Sequence, residues 1–344
     1  MQRALLCGYY GKGNGGDEAL LATLLQMLGD RYQPLVLSGN PQATEKLHQV
    51  ESSDRNSALS IIKSLKRSEL FIWGGGSLMQ DTTSLRNPIY YGGLMGLAQK
   101  MGLKTVAWAQ GIGPLDQPLS QWIARKTLQN CDRVSVRDDY SAQQLKNWGI
   151  KSQVAPDPVW ALNSKPLPHL WDLPAPRIAV TWRSHRQLTP SRLDLLIQAL
   201  KSFQKATDAY ILIVPFQPSQ DQAIAQQIHN ALPQKSEIIR ESDPRLLKGI
   251  FRGVDMAIAM RLHGLIMAAA EGCRCWAISY DPKVSYLMQE LGMPGWELAD
   301  LPEDPNLICQ AWLEHYLSGE PLSNDSLLSL SDRAGLHQQI LQNI

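Results

Sequence analysis

Short apolar runs and amphipathic stretches alternate along this chain. Ala4–Cys7, Leu35–Leu37, Leu70–Trp73, Thr105–Ala107 and Val134–Val136 are almost wholly apolar, and between most of them lie stretches with helical spacing, Glu18–Leu28, Tyr90–Lys100 and Trp122–Leu128. A run that is apolar on both faces suits a strand covered on either side, so the alternation predicts a parallel sheet with helices on both faces. The pattern breaks between Pro156 and Pro176, where six prolines (Pro156, Pro158, Pro166, Pro168, Pro174 and Pro176) deny the backbone the donors and dihedrals of a helix or central strand. It restarts with strands at Ile178–Thr181, Tyr210–Val214, Val254–Ala259 and Trp276–Ser279 and a helix near Ser191–Lys205. The chain is therefore predicted to be α/β, with two Rossmann-like domains facing each other across a cleft. Residues 1–160 form the first, 161–176 a proline-rich linker and 177–320 the second. A helical tail, 321–344, carries periodic apolar residues (Leu327, Leu328, Leu330, Leu336, Ile340, Leu341) and is expected to pack on the first domain.

In such folds the loops at the carboxyl ends of the strands carry the chemistry. Met260-Arg261-Leu262-His263-Gly264 joins the strand Val254–Ala259 to a helix predicted over Leu265–Glu271. A helix start offers unpaired N–H groups and the positive end of a dipole. Arg261 adds a forked cation suited to carboxylate or phosphate, and His263 an imidazole that gives or takes a proton near neutrality. Arg137 follows the strand ending at Val136, and either pairs with Asp138 or Asp139 or offers another cation. Arg183 and Lys283 follow the strands at 178–181 and 276–279.

Glycine marks the corresponding edge of the first domain. Gly11-x-Gly13-x-x-Gly16 matches the dinucleotide fingerprint as a string, but the next strand ends Leu37-Ser38-Gly39-Asn40, without the acidic residue that would hold a ribose, and Asp17 and Glu18 would repel a diphosphate. The loop instead offers Asn14, Asp17 and Glu18 at a helix start. Asp17 either caps that helix or, like Glu18, accepts a hydrogen bond or a proton from a sugar hydroxyl. Gly74-Gly75-Gly76-Ser77 and Gln110-Gly111-Ile112-Gly113-Pro114 put bare backbone at the same edge, so Gly75 and Gly76 join the acceptor-side candidates.

Composition removes several classes. A formal charge of +1 gives no support for a nucleic-acid surface. Five cysteines without a C-x-x-C pair indicate neither a disulfide framework nor a zinc knuckle, and Cys273 and Cys275 read as core. The apolar run at Ala4–Cys7 is too short for a signal peptide or a membrane span, so the chain is expected in the cytoplasm. No D-x-D, H-E-x-x-H, G-x-S-x-G or Walker A sequence occurs, and no metal site is expected. Of the ten tryptophans, Trp73, Trp108 and Trp182 fall at strand ends, where a ring either stacks on a sugar or packs in the core.

Taken together, Gly8-Tyr9-Tyr10-Gly11-x-Gly13-Asn14-x-Gly16-Asp17-Glu18, Gly74-Gly75-Gly76-Ser77-Leu78-x-Gln80-Asp81, Gln110-Gly111-Ile112-Gly113-Pro114, Val136-Arg137-Asp138, Arg261-Leu262-His263 and Tyr280-Asp281-Pro282-Lys283 resemble the polysaccharide pyruvyl transferase family, in its bacterial cell-surface-anchoring type. The resemblance implies a GT-B-like fold, phosphoenolpyruvate as donor co-substrate with no further cofactor, and a hexose or N-acetylhexosamine of a surface glycan, free or lipid-linked, as acceptor. It assigns the donor to Arg261 and His263, and further to Arg137 and Lys283; Arg183 is added from position alone. An acceptor lipid would bring the protein to the inner face of the membrane. A nucleotide-sugar glycosyltransferase and a non-catalytic glycan- or phosphosugar-binding protein remain the other readings of the same residues.

Overall fold

Every apolar run named above becomes a strand, because a parallel strand buried on both faces tolerates little else. The computed structural model describes residues 2–82 and 84–344. It divides the chain into two units, Met1–Asn163 with Ser329–Ile344, and Ser164–Leu328. The first unit holds β1 (Gln2–Cys7), β2 (Tyr32–Ser38), β3 (Glu51–Asp54), β4 (Leu70–Trp73), β5 (Gly76–Met79), β6 (Lys104–Ile112), β7 (Arg133–Val136) and β8 (Gln153–Val154). They pair in parallel in the order β3-β2-β1-β4-β6-β7-β8, with β5 beside β6. The second holds β9 (Arg177–Thr181), β10 (Tyr210–Ile213), β11 (Ser236–Ile238), β12 (Met256–Ala259), β13 (Arg274–Ser279) and β14 (Gly295–Glu297), parallel in the order β11-β10-β9-β12-β13-β14.

Each sheet grows outward in both directions from its first strand. The order therefore reverses between β1 and β4 in one unit and between β9 and β12 in the other, and the loops leaving these strands diverge to opposite faces. The register sets Cys7 beside Trp73 and Thr181 beside Ala259, so the paired strands end level. Two crevices at carboxyl ends result, one in each unit.

Alternation within the strands supplies both cores. Leu5 and Cys7 of β1 face one side with Phe71, Met95 and Ala124, whereas Ala4 and Leu6 face the other with Leu21, Leu24 and Ile72. Ile340 and Leu341 of the carboxyl-terminal segment complete that second face, where Trp108 Nε1 donates to the His337 carbonyl at 3.1 Å. In the second unit Ile178, Val180, Ile211 and Ile258 pack on Leu196, Leu200, Phe203 and Trp312. Burying each such side chain contributes about 1.5–3 kcal/mol. The proline-rich stretch carries only the short 3-10 turns Pro158–Ala161 and Pro168–Asp172. Among the described residues no helix is long and apolar enough to cross a membrane.

Candidate active site

In the first unit the loop after β1 is fixed from several sides. Its carbonyl at Gly8 accepts from Arg55 Nη1 at 2.6 Å, and the Gly11 N–H donates to Glu18 Oε1 at 2.8 Å. Gly11 lies at φ +68°, and a Cβ there would come within 2.0 Å of Ser38 Oγ, so only glycine fits this turn. Glu18 uses its second oxygen on His48 Nε2, at 3.2 Å, and is buried. Its carboxylate is thus a clamp inside the protein, which corrects its expected role on an acceptor hydroxyl. The helix Gly15–Leu28 is capped by Asn14, whose Oδ1 accepts from the Gly16 N–H at 3.0 Å, and not by Asp17. Asp17, half-buried in the first turn, has Oδ1 3.6 Å from where a Cβ on Gly76 would lie. Gly75 packs against Leu20 and Trp108 so closely that a Cβ would stand 2.8 Å from the leucine. The glycine cluster is less of a loop than the sequence suggests, since Gly76 and Ser77 begin β5.

Arg137 is buried at the end of β7. It pairs with neither Asp138 nor Asp139: Nη1 meets Asp157 Oδ2 at 2.7 Å and Nη2 donates to Ser77 Oγ at 3.1 Å. Asp138 instead caps the following helix through the Ser141 N–H. A Cβ on Gly111 would lie 3.0 Å from Arg137 Nε, so this glycine makes room for the guanidinium. Trp73, Trp108 and Trp182 are all buried, which makes them core and not sugar platforms.

In the second unit the helix after β12 starts earlier than predicted, at Leu262, and runs to Ala270. Arg261 is its N-cap residue and His263, half-buried, stands in its first turn. No side chain caps this helix. Arg261 is only 7% exposed; its Nη2 contacts Asp221 Oδ1 at 2.5 Å, while Asp221 Oδ2 accepts from the Gln217 N–H at 2.8 Å. The pair holds the guanidinium in one orientation. Arg261 Nε and Thr181 Oγ1, both buried at this junction, make no hydrogen bond among the described residues. Leaving each so costs on the order of 1–3 kcal/mol unless a ligand meets it. Gly264 allows the close packing: a Cβ on it would sit 2.7 Å from Thr181 Oγ1 and 3.4 Å from Arg261 Cβ.

Lys283 lies in the first turn of the helix Pro282–Leu291, half-buried, its backbone N–H donating to the cap Asp281 at 3.0 Å. Arg183 is turned elsewhere, Nη1 donating to the Tyr280 hydroxyl at 3.0 Å and Nη2 to Gln220 Oε1 at 2.6 Å. Burial, with Arg183 and Arg186 nearby, holds His185 below its ordinary range. Sequence reasoning missed Asp221, Asp157 and Thr181. None of them stands in a motif: Asp221 and Asp157 each hold an arginine far away in sequence, and Thr181 ends β9.

Two α/β units, each a parallel sheet with a crevice at its switch point, define the GT-B class of two-domain fold, and solved structures similar to this chain agree. UDP-GlcNAc 2-epimerase from Methanocaldococcus jannaschii matches with TM-score 0.68 at 11% identity over 100% of both chains. The UDP-GlcNAc 2-epimerase from Neisseria meningitidis gives 0.64 at 11% over 99% of this chain and 100% of that one, and Acinetobacter baumannii MurG gives 0.51 at 11% over 99% and 97%. At such identity the likeness is one of fold. No curated protein sequence matches the chain. The model of the polysaccharide pyruvyl transferase family matches residues 14–282, and the chain belongs to that family.

Proposed function

We propose that this protein transfers the pyruvyl group of phosphoenolpyruvate to a hexose or N-acetylhexosamine of a cell-surface glycan precursor, as a cyclic ketal with release of phosphate. The observation that carries the reading is the junction after β12. A buried arginine locked by Asp221, an unsatisfied Arg261 Nε and Thr181 Oγ1, and an uncapped helix start together suit a small, strongly anionic donor. Family membership supplies the reaction class.

In this reading the enol methylene of phosphoenolpyruvate takes a proton, which leaves its C2 electrophilic. One sugar hydroxyl oxygen adds to C2 and gives up its proton. Phosphate then departs as a second hydroxyl of the same sugar bonds to C2, and that hydroxyl's proton leaves with the phosphate. Two protons leave the diol, and two arrive on the methyl carbon and the phosphate. His263 serves as the general acid and Arg261, Arg137 and Lys283 neutralise carboxylate and phosphate. Asp17 takes the proton of the acceptor hydroxyl, Asn14 and the Gly75–Gly76 backbone lie on the acceptor side, and no metal or further cofactor enters the scheme. The natural setting is the cytoplasm, where phosphoenolpyruvate is made, at the membrane face if the acceptor is lipid-linked.

Phosphate release from phosphoenolpyruvate, measured with and without a panel of hexose, N-acetylhexosamine and lipid-linked acceptors, tests the proposal. Acceptor-dependent release with one pyruvyl ketal per phosphate is expected. Ordered nucleotide-sugar binding with no turnover of phosphoenolpyruvate would replace it with glycosyl transfer.

A further inference from the structure

The helix Pro218–Ala231 serves two sites from consecutive residues. Asp221, 1% exposed, reaches Arg261. Its neighbours Gln220 and Gln222 instead line a cavity of about 700 Å³ with Arg183, Ser184, Ser219 and Gln226. Among the described residues no carboxylate lines this cavity; its polar groups are carboxamides, hydroxyls and one guanidinium. A second guanidinium is tied to it, since Arg240 Nε donates to Gln222 Oε1 at 3.2 Å.

The partners of both arginines are uncharged. Arg183 donates to the Tyr280 hydroxyl, to Gln220 Oε1 and to the Ser184 carbonyl, and Arg240 to Gln222 Oε1. Among the described residues neither forms an ion pair, in contrast to Arg137 and Arg261. Neutral oxygens orient a guanidinium without cancelling its charge, so its attraction for an anion is kept. Carboxamide and hydroxyl groups beside such cations suit the hydroxyls of a sugar. The volume is that of a site for a molecule larger than a lone phosphate.

We propose that this cavity holds the diphosphate of an acceptor saccharide presented as a glycosyl diphosphate, with Arg183 and Arg240 on the phosphate oxygens and Gln222 and Gln226 on sugar hydroxyls. The inference rests on the reading of the protein as a transferase acting on a glycan precursor. It assigns Arg183 to the acceptor and not to phosphoenolpyruvate. Adjacent residues of one helix turn, Gln220, Asp221 and Gln222, then connect the acceptor's anion to the arginine that binds the donor.

Calorimetric titration of the full chain with inorganic pyrophosphate, UDP, farnesyl diphosphate and phosphoenolpyruvate tests it, using Arg183→Ala, Arg240→Ala and Arg261→Ala. Pyrophosphate affinity is expected to fall at least about tenfold in each of the first two variants and less than about threefold in the third, with the reverse pattern for phosphoenolpyruvate. Arg240 is exposed, so its replacement reads out even if Arg183→Ala folds poorly. A preference for UDP would identify a nucleotide-linked acceptor, and one for farnesyl diphosphate a lipid-linked acceptor. Equal affinity would support the shared diphosphate chemistry. Absence of pyrophosphate binding, or binding that depends on Arg261 and not on Arg183 or Arg240, overturns the proposal. If phosphoenolpyruvate binds no form while pyrophosphate keeps its dependence on Arg183 and Arg240, the donor reading fails and the cavity assignment stands.

Discussion

The two switch points share a topology and differ in what their polar groups do. After β1, Asn14 and Glu18, which looked chemical, hold the loop: Asn14 caps a helix and Glu18 clamps Gly11 and His48, while Arg55 holds the Gly8 carbonyl. After β12 the helix start is uncapped, and Arg261 Nε and Thr181 Oγ1 lie buried without a hydrogen-bond partner among the described residues. One crevice is a hydrogen-bonded scaffold that presents backbone, with the half-buried Asp17 in its first helical turn. The other stores unsatisfied donors, an arrangement that becomes favourable only with an anion in place. A glycine-rich loop is thus not in itself the better predictor of an anion site; the fate of each polar atom decides.

The largest expected effect breaks the second crevice. Arg261→Ala should cost about 2–4 kcal/mol of phosphoenolpyruvate affinity, because it removes a charged contact and leaves Asp221 buried without its partner. Calorimetric titration checks this, and unchanged affinity would remove Arg261 from the donor site.

His263→Ala separates chemistry from binding at the same junction. Turnover should fall by about 100-fold, equivalent to about 2.7 kcal/mol, with donor affinity little altered. Single-turnover kinetics at saturating phosphoenolpyruvate give the answer. A raised KM with near-normal turnover would make His263 a binding group.

A third expectation concerns the scaffold beneath the first crevice. His337 is fully buried, with Nε2 donating to the Pro156 carbonyl and Nδ1 accepting from the Ser135 hydroxyl, both at 3.0 Å. Burial pulls it down to about 4. The unfolded chain takes that proton near pH 6.5, so the stability due to neutral His337 is complete above about pH 6.5 and drains away as pH falls toward 4. At pH 5 the loss is about 2 kcal/mol. Denaturant unfolding at pH 7.5 and 5.0 should show a fall in stability that is smaller by about that amount in His337→Gln. Equal falls in both proteins would show that the native state accepts the proton.

Much of this frame was legible in the alternation of apolar runs, because a strand buried on both faces admits few other residues. β3 (Glu51–Asp54) and β5 (Gly76–Met79) were not, since one is polar and half-buried throughout and the other begins in glycine. The helix after β12 was placed three residues late because Arg261-Leu262-His263 reads as loop, although Leu262 and His263 complete its first turn. The site cations were visible and their partners were not. Asp221 sits forty residues from Arg261 in a glutamine-rich helix, and Asp157 lies among prolines, so only the fold brings each to its arginine.

The smallest expected effect is the one that sharpens the contrast between the crevices. Asp17 lies half-buried in the first turn of the helix after the β1 loop, beside the bare backbone at Gly76, whereas Glu18 is buried against Gly11 and His48. If the scaffold crevice serves the acceptor, Asp17→Asn should slow acceptor-dependent phosphate release, since the amide keeps the shape and loses the base. Phosphoenolpyruvate affinity should meanwhile stay within about threefold, under roughly 0.7 kcal/mol, because no anion site is disturbed. Parallel titration and turnover measurements on this one variant distinguish the cases. Loss of donor binding with the fold intact would assign the β1 loop to the donor and not to the acceptor.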